Sequence, residues 1–278
     1  MDTPTPDIPF TKMQAAGNDF VVIDNRSKSF TKDELISLAP SMCARKFGVG
    51  SDGILALFPP EHDNIDYTMF YRNPDGSDAG MCGNGARCMA LFAHSLEFDK
   101  QHQFNVHNNV YEAIVLDSDS VAIRFPMEAS INEKTIDGEP LYAIHTGTEH
   151  VVKKVTNEEL SREDHLLAEG SQLRYHKHFE PKGTNVNFIC GTDSTSLKLQ
   201  TYERGVENLT LACGTGAIAS ALVWHHLQDG RSSTQKYSVK TKGGTLSVHF
   251  SFDPESKSYS NIKLEGPARF VFKGTFLQ

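Results

Sequence analysis

Residues 81–87 (MCGNGAR) and residues 212–218 (ACGTGAI) decide the fold of this 278-residue chain. Each stretch places a cysteine directly before a Gly-x-Gly-Ala turn, and each turn leads into an apolar segment with helical periodicity. The two cysteines, Cys82 and Cys213, are 131 residues apart (213 minus 82). One such element can arise from composition alone, whereas two indicate a duplicated fold in which each half contributes a thiol to one site.

The segments around the two turns predict a similar order of strands and helices in each half. Strands are predicted at residues 10–24 (broken at Gly17 and Asn18), 54–58, 67–71, 103–107, 110–116 and 121–125, and then at residues 141–145, 150–154, 185–190, 197–203, 237–241, 245–252, 261–265 and 268–272. Helices are predicted at residues 31–47, where Thr31 and Glu34 form a capping box, at 85–96, at 157–168 with Asn157 as the cap, and at 216–227.

Pro126 is the natural boundary between the halves, and the absence of a Ser/Gly-rich linker predicts closely packed lobes.

Residues 48–53 (GVGSDG) match the G-x-G-x-x-G fingerprint of dinucleotide-binding folds. In such folds the fingerprint follows a strand and opens a helix. Here it follows a predicted helix and opens a predicted strand. The context is inverted, and a dinucleotide site is therefore not expected.

Composition excludes several classes of protein. The hydrophobic fraction of 38% indicates a globular chain, and the formal net charge of −8 argues against nucleic acid or an anionic membrane as a partner. No apolar run reaches the roughly 18 residues that suggest a membrane span, and residues 1–7 lack the basic and apolar regions of a signal peptide. We expect a cytoplasmic protein whose partner is a small-molecule substrate, with a homodimer left open.

The five cysteines are an odd number without a secretion signal, which fits reduced thiols. No C-x-x-C pair is present, and the twelve histidines are scattered, so no metal site is expected. Cys43, Cys88 and Cys190 lie in apolar stretches without the glycine turn and are expected to pack in the core.

The two repeats suit an inverting proton transfer at a carbon next to a carboxylate. Removing the α-proton of an amino acid creates a costly carbanion, which helix N-termini can stabilise through their free N–H groups and dipole. The glycines allow close approach of backbone to substrate, and the same dipole favours the thiolate of a cysteine at the helix start. An inversion then needs one base and one acid on opposite faces of the carbon. Cys82 and Cys213 fit this pair, and no cofactor is required.

Six motifs, in the same order along nearly the whole chain, resemble those of the diaminopimelate epimerase family, whose members epimerise an amino acid without a cofactor. They are residues 17–20 (GNDF), 73–77 (NPDGS), 82–88 (CGNGARC), 185–188 (NVNF), 202–205 (YERG) and 212–216 (ACGTG). Each motif alone is weak, but six in order are specific.

The resemblance implies an α/β fold of two similar lobes, each a curved mixed β-sheet or barrel wrapped around the central helix that follows its cysteine. The lobes would span residues 1–126 and 127–266, and residues 267–278 would form a final strand that returns to the first lobe. The implied reaction is the interconversion of LL- and meso-2,6-diaminopimelate, which supplies lysine and peptidoglycan synthesis.

The resemblance also implies roles for individual residues. The residues implied at the reacting end of the substrate are Asn18, Gly83, Asn84, Glu203, Gly214 and Thr215. The residues implied at the distal, non-reacting end are Asn73, Asn185 and Arg204. His150 and Glu203 are candidate partners that set the protonation of the two thiols, and a purely structural polar role is the alternative for both.

Three positions depart from the family pattern. Thr148 and Glu149 stand where the family has asparagine and proline, and Leu209 stands where an acidic residue normally precedes Thr210. Two alternatives therefore stay open. One is a racemase or epimerase that acts on another amino acid with the same two thiols. The other is a non-catalytic relative that binds a small metabolite, although such relatives typically lack one or both cysteines.

Overall fold

The computed structural model describes residues 7–78, 80–228 and 234–277. These residues form two compact units: one runs to Ile123 and resumes at Gly266, and the other is Arg124–Glu265. That each unit is an independent domain, with limits at residues 126 and 266, stays a prediction. The prediction that residues 1–7 lack the features of a signal peptide concerns residues of which the structure describes only residue 7.

The strands and helices follow in this order along the chain. The strands are β1 (Ile8–Ala15), β2 (Asn18–Asp24), β3 (Ile54–Phe58), β4 (Tyr67–Arg72), β5 (Gln101–Val106), β6 (Asn109–Val115), β7 (Ser120–Arg124), β8 (Ala129–Ser130), β9 (Asn132–Ile136), β10 (Glu139–His145), β11 (Glu149–Lys154), β12 (Asn185–Gly191), β13 (Ser196–Glu203), β14 (Asn208–Thr210), β15 (Thr234–Thr241), β16 (Gly244–Asp253), β17 (Ser258–Pro267) and β18 (Arg269–Phe276). The helices are α1 (Lys32–Cys43), α2 (Gly83–Ser95), α3 (Asn157–Ser161), α4 (Glu163–Arg174) and α5 (Gly214–Leu227).

The two units have the same strand pairing, which confirms the duplication predicted from the repeats. In the first unit the order is β18-β1-β2-β3-β4-β5-β6, and the successive pairs are antiparallel, antiparallel, parallel, antiparallel, parallel and antiparallel. In the second unit the order β9-β10-β11-β12-β13-β15-β16 has the same six orientations. Parallel neighbours need long crossovers. Helices α1 and α2 lie in the crossovers of the first unit, and α3, α4 and α5 lie in those of the second.

Helices α2 and α5 are the centres of their units. Every residue from Gly83 to Ala93 of α2 is buried, and the helix contacts β1, β2, β3, β4 and β6. Helix α5 is buried at Gly214 and from Gly216 to His225, and it contacts β10 to β13, β15 and β16. A helix enclosed on all sides by strands must be apolar around its circumference. The mixed sheet surrounding one helix in each unit confirms the predicted fold class.

The capping box predicted at Thr31 is present. Its hydroxyl accepts a hydrogen bond from the Glu34 backbone N–H, and the Glu34 carboxylate accepts one from the Thr31 backbone N–H. Helix α1 ends at Cys43 rather than at residue 47, because Ala44 adopts an extended conformation with ψ of 115°.

The helix predicted over residues 157–168 with Asn157 as its cap was wrong in two respects. The cap is Thr156, whose hydroxyl and backbone N–H form a second capping box with Glu159. The segment is also broken into α3 and α4, because Arg162 has non-helical dihedral angles of −92° and 77°. The T-x-x-E spacing that identified Thr31 also occurs at Thr156 and outweighs the asparagine beside it.

None of the helices in the described part of the chain is long and apolar enough to span a bilayer.

Gly170 tests the packing of α4 against β13. A Cβ at this position would lie 2.6 Å from Cβ of Tyr202. Alanine favours a helix interior over glycine by about 1 kcal/mol, yet we expect Gly170→Ala to destabilise the protein by about 1–3 kcal/mol because the contact overpacks the core. Urea unfolding measures the change, with Ser171→Ala on the same helix as the matched control. A Gly170→Ala protein as stable as the wild type would contradict this packing.

Candidate active site

Cys82 and Cys213 are the N-caps of the two central helices. Their backbone dihedral angles are nearly identical, with φ and ψ of −110° and 113° for Cys82 and of −116° and 114° for Cys213. Each sulfur accepts a hydrogen bond from the backbone N–H three residues on, at 3.4 Å from Gly85 and at 3.4 Å from Gly216. Both sulfurs therefore lie at the positive end of a buried helix, where a negative charge is stabilised.

The glycines of the two turns are under different constraints. A Cβ on Gly216 would lie 2.5 Å from Asn187 Oδ1 and 3.2 Å from the sulfur of Cys213, so only glycine fits. A Cβ on Gly85 would come no closer than 3.2 Å to the flexible end of Leu55. The second repeat thus needs its glycine for space.

In the first unit the structure joins Asn18 and Asn84, which are both expected at the reacting end of the substrate. The Asn84 amide donates to the side-chain oxygen of Asn18, whose own amide donates to Asp52 at 3.1 Å. Arg87 in turn donates to the side-chain oxygen of Asn84. These partners fix the orientation of both amides at the start of α2.

Arg87 is a further functional candidate, which lies in the first cysteine–glycine repeat and for which the sequence alone indicated no role. Its side chain is completely buried, and it also donates to the backbone oxygens of Gly83 and Pro267, at 3.2 Å each. Burial lowers the pKa of Arg87 to about 10, and electrostatic interactions with Cys88 and Cys82 act in the opposite direction. The buried guanidinium would therefore favour the thiolate form of Cys82. The sequence contained a sign of this special position, because the second repeat has the apolar residue Ile218 where the first has the charged Arg87.

In the second unit a chain of hydrogen bonds leads from the thiol to a buried histidine. Cys213 Sγ lies 3.6 Å from the hydroxyl of Thr215, and that hydroxyl lies 3.0 Å from Nε2 of His150. Nδ1 of His150 lies 3.0 Å from the side-chain nitrogen of Asn187. The predicted residues Cys213, Thr215 and His150 are thus brought together, and Asn187 is an addition.

The partners of Asn187 determine which nitrogen of His150 carries the proton. The Asn187 amide nitrogen lies 3.0 Å from the backbone oxygen of Val151, which can only accept, so the NH₂ group faces both Val151 and His150. Nδ1 of His150 is therefore an acceptor, and Nε2 carries the proton and donates it to Thr215. The Thr215 hydroxyl is then available to donate to the sulfur of Cys213.

Burial lowers the pKa of His150 to about 3. The residue is 2% exposed, and its imidazole is neutral in the folded protein at physiological pH. His150 is consequently linked to Cys213 by a neutral hydrogen-bond chain and does not form an ion pair with it.

The residues predicted for the distal end form a second cluster in the same unit. The backbone N–H of Arg204 donates to the side-chain oxygen of Asn185 at 2.9 Å, and the Asn185 amide donates to the backbone oxygen of Glu149 at 3.0 Å. The Arg204 guanidinium donates to Thr148 at 2.7 Å and to the Glu149 carboxylate at 3.1 Å. Thr148 and Glu149, two of the three residues that depart from the family pattern, thus contact the guanidinium, which also donates to the backbone oxygen of Lys182 at 3.3 Å.

Two predicted residues are not joined to these clusters. Asn73 holds a turn through hydrogen bonds with the backbone and side chain of Ser77, at 3.0 Å each. Glu203 ends β13, and burial raises the pKa of its carboxyl above the ordinary value. Among the other thiols, Cys43 and Cys88 are buried as expected, and burial raises the pKa of each, whereas Cys190 is half-buried.

The fold and the site define an α/β protein with two equivalent units, each with a cysteine at the N-terminus of its enclosed helix. The family model of diaminopimelate epimerase matches residues 10–117 and 142–271. The diaminopimelate epimerase of Chlorobaculum tepidum is 39% identical over 267 residues, which cover 95% of this chain and 99% of that protein. That of Flavobacterium psychrophilum is 36% identical over 266 residues, covering 95% and 98%.

This chain belongs to the diaminopimelate epimerase family. A solved structure of a phenazine biosynthesis protein of the PhzF family from Bacillus anthracis has a TM-score of 0.76, covering 99% of this chain and 100% of that chain at 15% identity. At such low identity the likeness shows the fold alone, and the fold is the one predicted.

The assigned state of His150 gives a spectroscopic prediction. Between about pH 5 and pH 8, where an ordinary histidine titrates, we expect the His150 ring to stay neutral with its proton on Nε2, because its pKa is lowered to about 3. Nitrogen NMR of the labelled protein measures both properties, and the His150→Asn variant assigns the signal. A titration midpoint inside this range, or a proton on Nδ1, would show that the hydrogen-bond chain is assigned wrongly.

Proposed function

We propose that the protein interconverts LL- and meso-2,6-diaminopimelate by removing a proton from one α-carbon and returning one to its opposite face, without a cofactor. The observation that supports this most strongly is the pair of cysteine-capped helices, because each supplies a thiol and a set of free N–H groups at one point. Membership of the diaminopimelate epimerase family supports the choice of substrate.

In the proposed reaction one cysteine is a thiolate and the other a thiol when the substrate binds. The thiolate takes the α-proton, the electron pair of the C–H bond stays on the substrate as a carbanion, and the second thiol donates its proton to the other face. The product leaves with inverted configuration, and the two sulfurs have exchanged protonation states. The reverse reaction uses the same groups in exchanged roles.

The helix N-termini stabilise the developing charge. The first N–H groups of a helix point out of its N-terminus, and at Gly83, Gly214 and Thr215 they suit the carboxylate next to the carbanion. The side chains of Asn18 and Asn84 then suit the reacting ammonium and carboxylate, since amides both donate and accept. Glu203 is proposed to hold this end of the substrate as well.

The two thiols are proposed to be tuned by different neighbours. His150 acts on Cys213 through Thr215, with contacts of 3.0 Å and 3.6 Å along the chain. Glu203 is the second tuning candidate, because a carboxyl of raised pKa retains its proton more readily and can exchange it. For the distal end, Arg204 suits a carboxylate, with Asn185 and Asn73 as additional hydrogen-bonding groups.

An epimerase or racemase of another amino acid is the second candidate, and Thr148 and Glu149 favour it because they change the distal cluster. A non-catalytic metabolite-binding role is the third, and the presence of both capped cysteines disfavours it.

A cytoplasmic protein that binds no nucleic acid is part of the proposal and fits the net charge of −8. A homodimer is proposed through β18, where the consecutive apolar side chains Phe270, Val271 and Phe272 are 42%, 55% and 49% exposed.

Turnover of a panel of amino acids tests the assignment. With enzyme freed of small molecules, we expect inversion of LL-diaminopimelate, followed by chiral chromatography, and negligible inversion of proline, histidine or glutamate. Added pyridoxal phosphate should not change the rate, because the helix N-termini replace its role as an electron sink. Preferred turnover of another member of the panel would favour the second candidate, and strict dependence on pyridoxal phosphate would refute the two-thiol reaction.

Substitution of each cysteine tests the pairing. Cys82→Ser and Cys213→Ser keep an oxygen that can cap the helix but replace a thiol by a far weaker acid. Each should lower the rate of inversion by about 10²–10⁴-fold, the usual contribution of general acid–base catalysis, with an unchanged circular dichroism spectrum. Cys190→Ala, at a half-buried thiol outside both repeats, is the control and should retain full activity. Near-normal inversion by either serine variant would exclude that cysteine as a catalytic residue.

A further inference from the structure

Glu149 lies at the centre of the distal cluster, where the family resemblance gives an uncharged proline. One oxygen of its carboxylate accepts from Arg204 Nη1 at 3.1 Å, and the other accepts from Lys182 Nζ at 3.1 Å. Its side chain is 32% exposed, so a ligand can reach it. The cluster therefore presents a negative group between two positive ones, whereas the family pattern has no charge at this position.

We propose that Glu149 is a specificity-determining residue that binds the distal ammonium of diaminopimelate while Arg204 binds the distal carboxylate beside it. This inference rests on the proposed function, and it concerns the end of the substrate that does not react.

The spacing of the two charged groups matches the head of an amino acid. A zwitterionic head carries an ammonium and a carboxylate on the same carbon, so its binding site needs an acceptor and a donor side by side. The Glu149 carboxylate and the Arg204 guanidinium are held together at 3.1 Å, and Thr148, at 2.7 Å from Arg204 Nη2, fixes the guanidinium from the other side. The two opposite charges are thus positioned before any ligand binds.

A ligand can engage both groups, Arg204 through an unused donor and Glu149 by replacing an exposed partner. A carboxylate offers about four acceptor positions and a guanidinium five donors. The Glu149 carboxylate accepts from Lys182, from Arg204, from its own backbone N–H and, at 3.5 Å, from Thr148. Of these donors, the Lys182 ammonium is on a side chain that is 72% exposed, and it is the one that a ligand ammonium can replace. The Arg204 side chain donates through Nη1 and Nη2, and among the described residues no acceptor faces its Nε.

Glu149 shifts the preference of the cluster from a bare carboxylate toward a zwitterion. Arg204 and Lys182 contribute two positive charges and Glu149 one negative charge, so Glu149 lowers the net charge of the cluster from +2 to +1. Without Glu149, a ligand with only a carboxylate at its distal end would face two unopposed cations. With Glu149 in place, that carboxylate competes with Glu149 for Arg204, whereas a distal ammonium is attracted by the Glu149 carboxylate.

Comparison of two substrates isolates the effect of Glu149 on the distal ammonium. L-2-Aminopimelate has the carbon chain and distal carboxylate of LL-diaminopimelate but lacks the distal ammonium. The ratio of kcat/KM for the two substrates is measured in the wild type, in Glu149→Gln and in Glu149→Ala. Glu169→Gln is the matched control, since Glu169 is a partly buried carboxylate that pairs with Lys153 at 2.6 Å in the same unit.

We expect the wild type and the control to favour diaminopimelate strongly, and both Glu149 variants to reduce that preference by about 10-fold or more, mainly through KM for diaminopimelate. Calorimetry measures binding of both ligands without turnover when each protein also carries Cys213→Ser. The Glu149 substitutions should then reduce the preference in binding affinity for diaminopimelate in the same way. An unchanged ratio in active Glu149 variants would overturn the proposal, as would tighter binding of diaminopimelate, which would make Glu149 a competitor for Arg204. A wild type that inverts neither substrate and binds neither would refute the proposed function, and this inference with it.

Discussion

The hydrogen bond from a backbone N–H to a cysteine sulfur, at the start of each enclosed helix, is the contact on which the rest of the structure depends. It fixes the sulfur at 3.4 Å from the third residue of the helix in both units. At the N-terminus of such a helix, the first backbone N–H groups are not paired with carbonyls of the helix itself. The thiol and the donors are therefore positioned by one feature, and the surrounding side chains only adjust their chemistry.

The two capped thiols share a backbone geometry but differ in their electrical surroundings. Near Cys82 the structure has a fully buried cation, Arg87, which favours a thiolate. Near Cys213 it has a neutral chain through Thr215 to His150. In a reversible reaction, each direction would begin from a different thiolate. The thiolate of Cys82 would be stabilised by a nearby charge, and that of Cys213 by hydrogen bonding.

The sequence was sufficient for the features that depend on local spacing. The cysteine–glycine turns predicted both central helices, and the repeated order of strands and helices predicted two similar units. It was insufficient where a contact joins residues far apart in the chain. Asn187 sets the tautomer of His150 although 37 positions separate them, and Arg87 is bound by a carbonyl 180 positions away. The error at Asn157 was local, because Thr156 formed the better capping box.

The distal cluster shows a different limit of sequence reasoning. Glu149 was recognisable as a departure from the family pattern, but its carboxylate could not be placed on Arg204 and Lys182 without the structure. Glutamate in place of the family's proline at position 149 thus changes which ligands the cluster can distinguish.

The central claim, that two thiols serve opposite faces of one α-carbon, is tested most directly by the position of solvent deuterium early in the reaction. Enzyme is mixed with LL-diaminopimelate in D₂O, and the α-hydrogen of recovered substrate and of product is analysed by mass spectrometry at low conversion. If two separate groups act, the product contains deuterium and the recovered substrate retains protium, because the acid that donates to the carbanion carries solvent deuterium. Equal deuterium in both pools would contradict the account, since it would show a single base that returns the proton to either face.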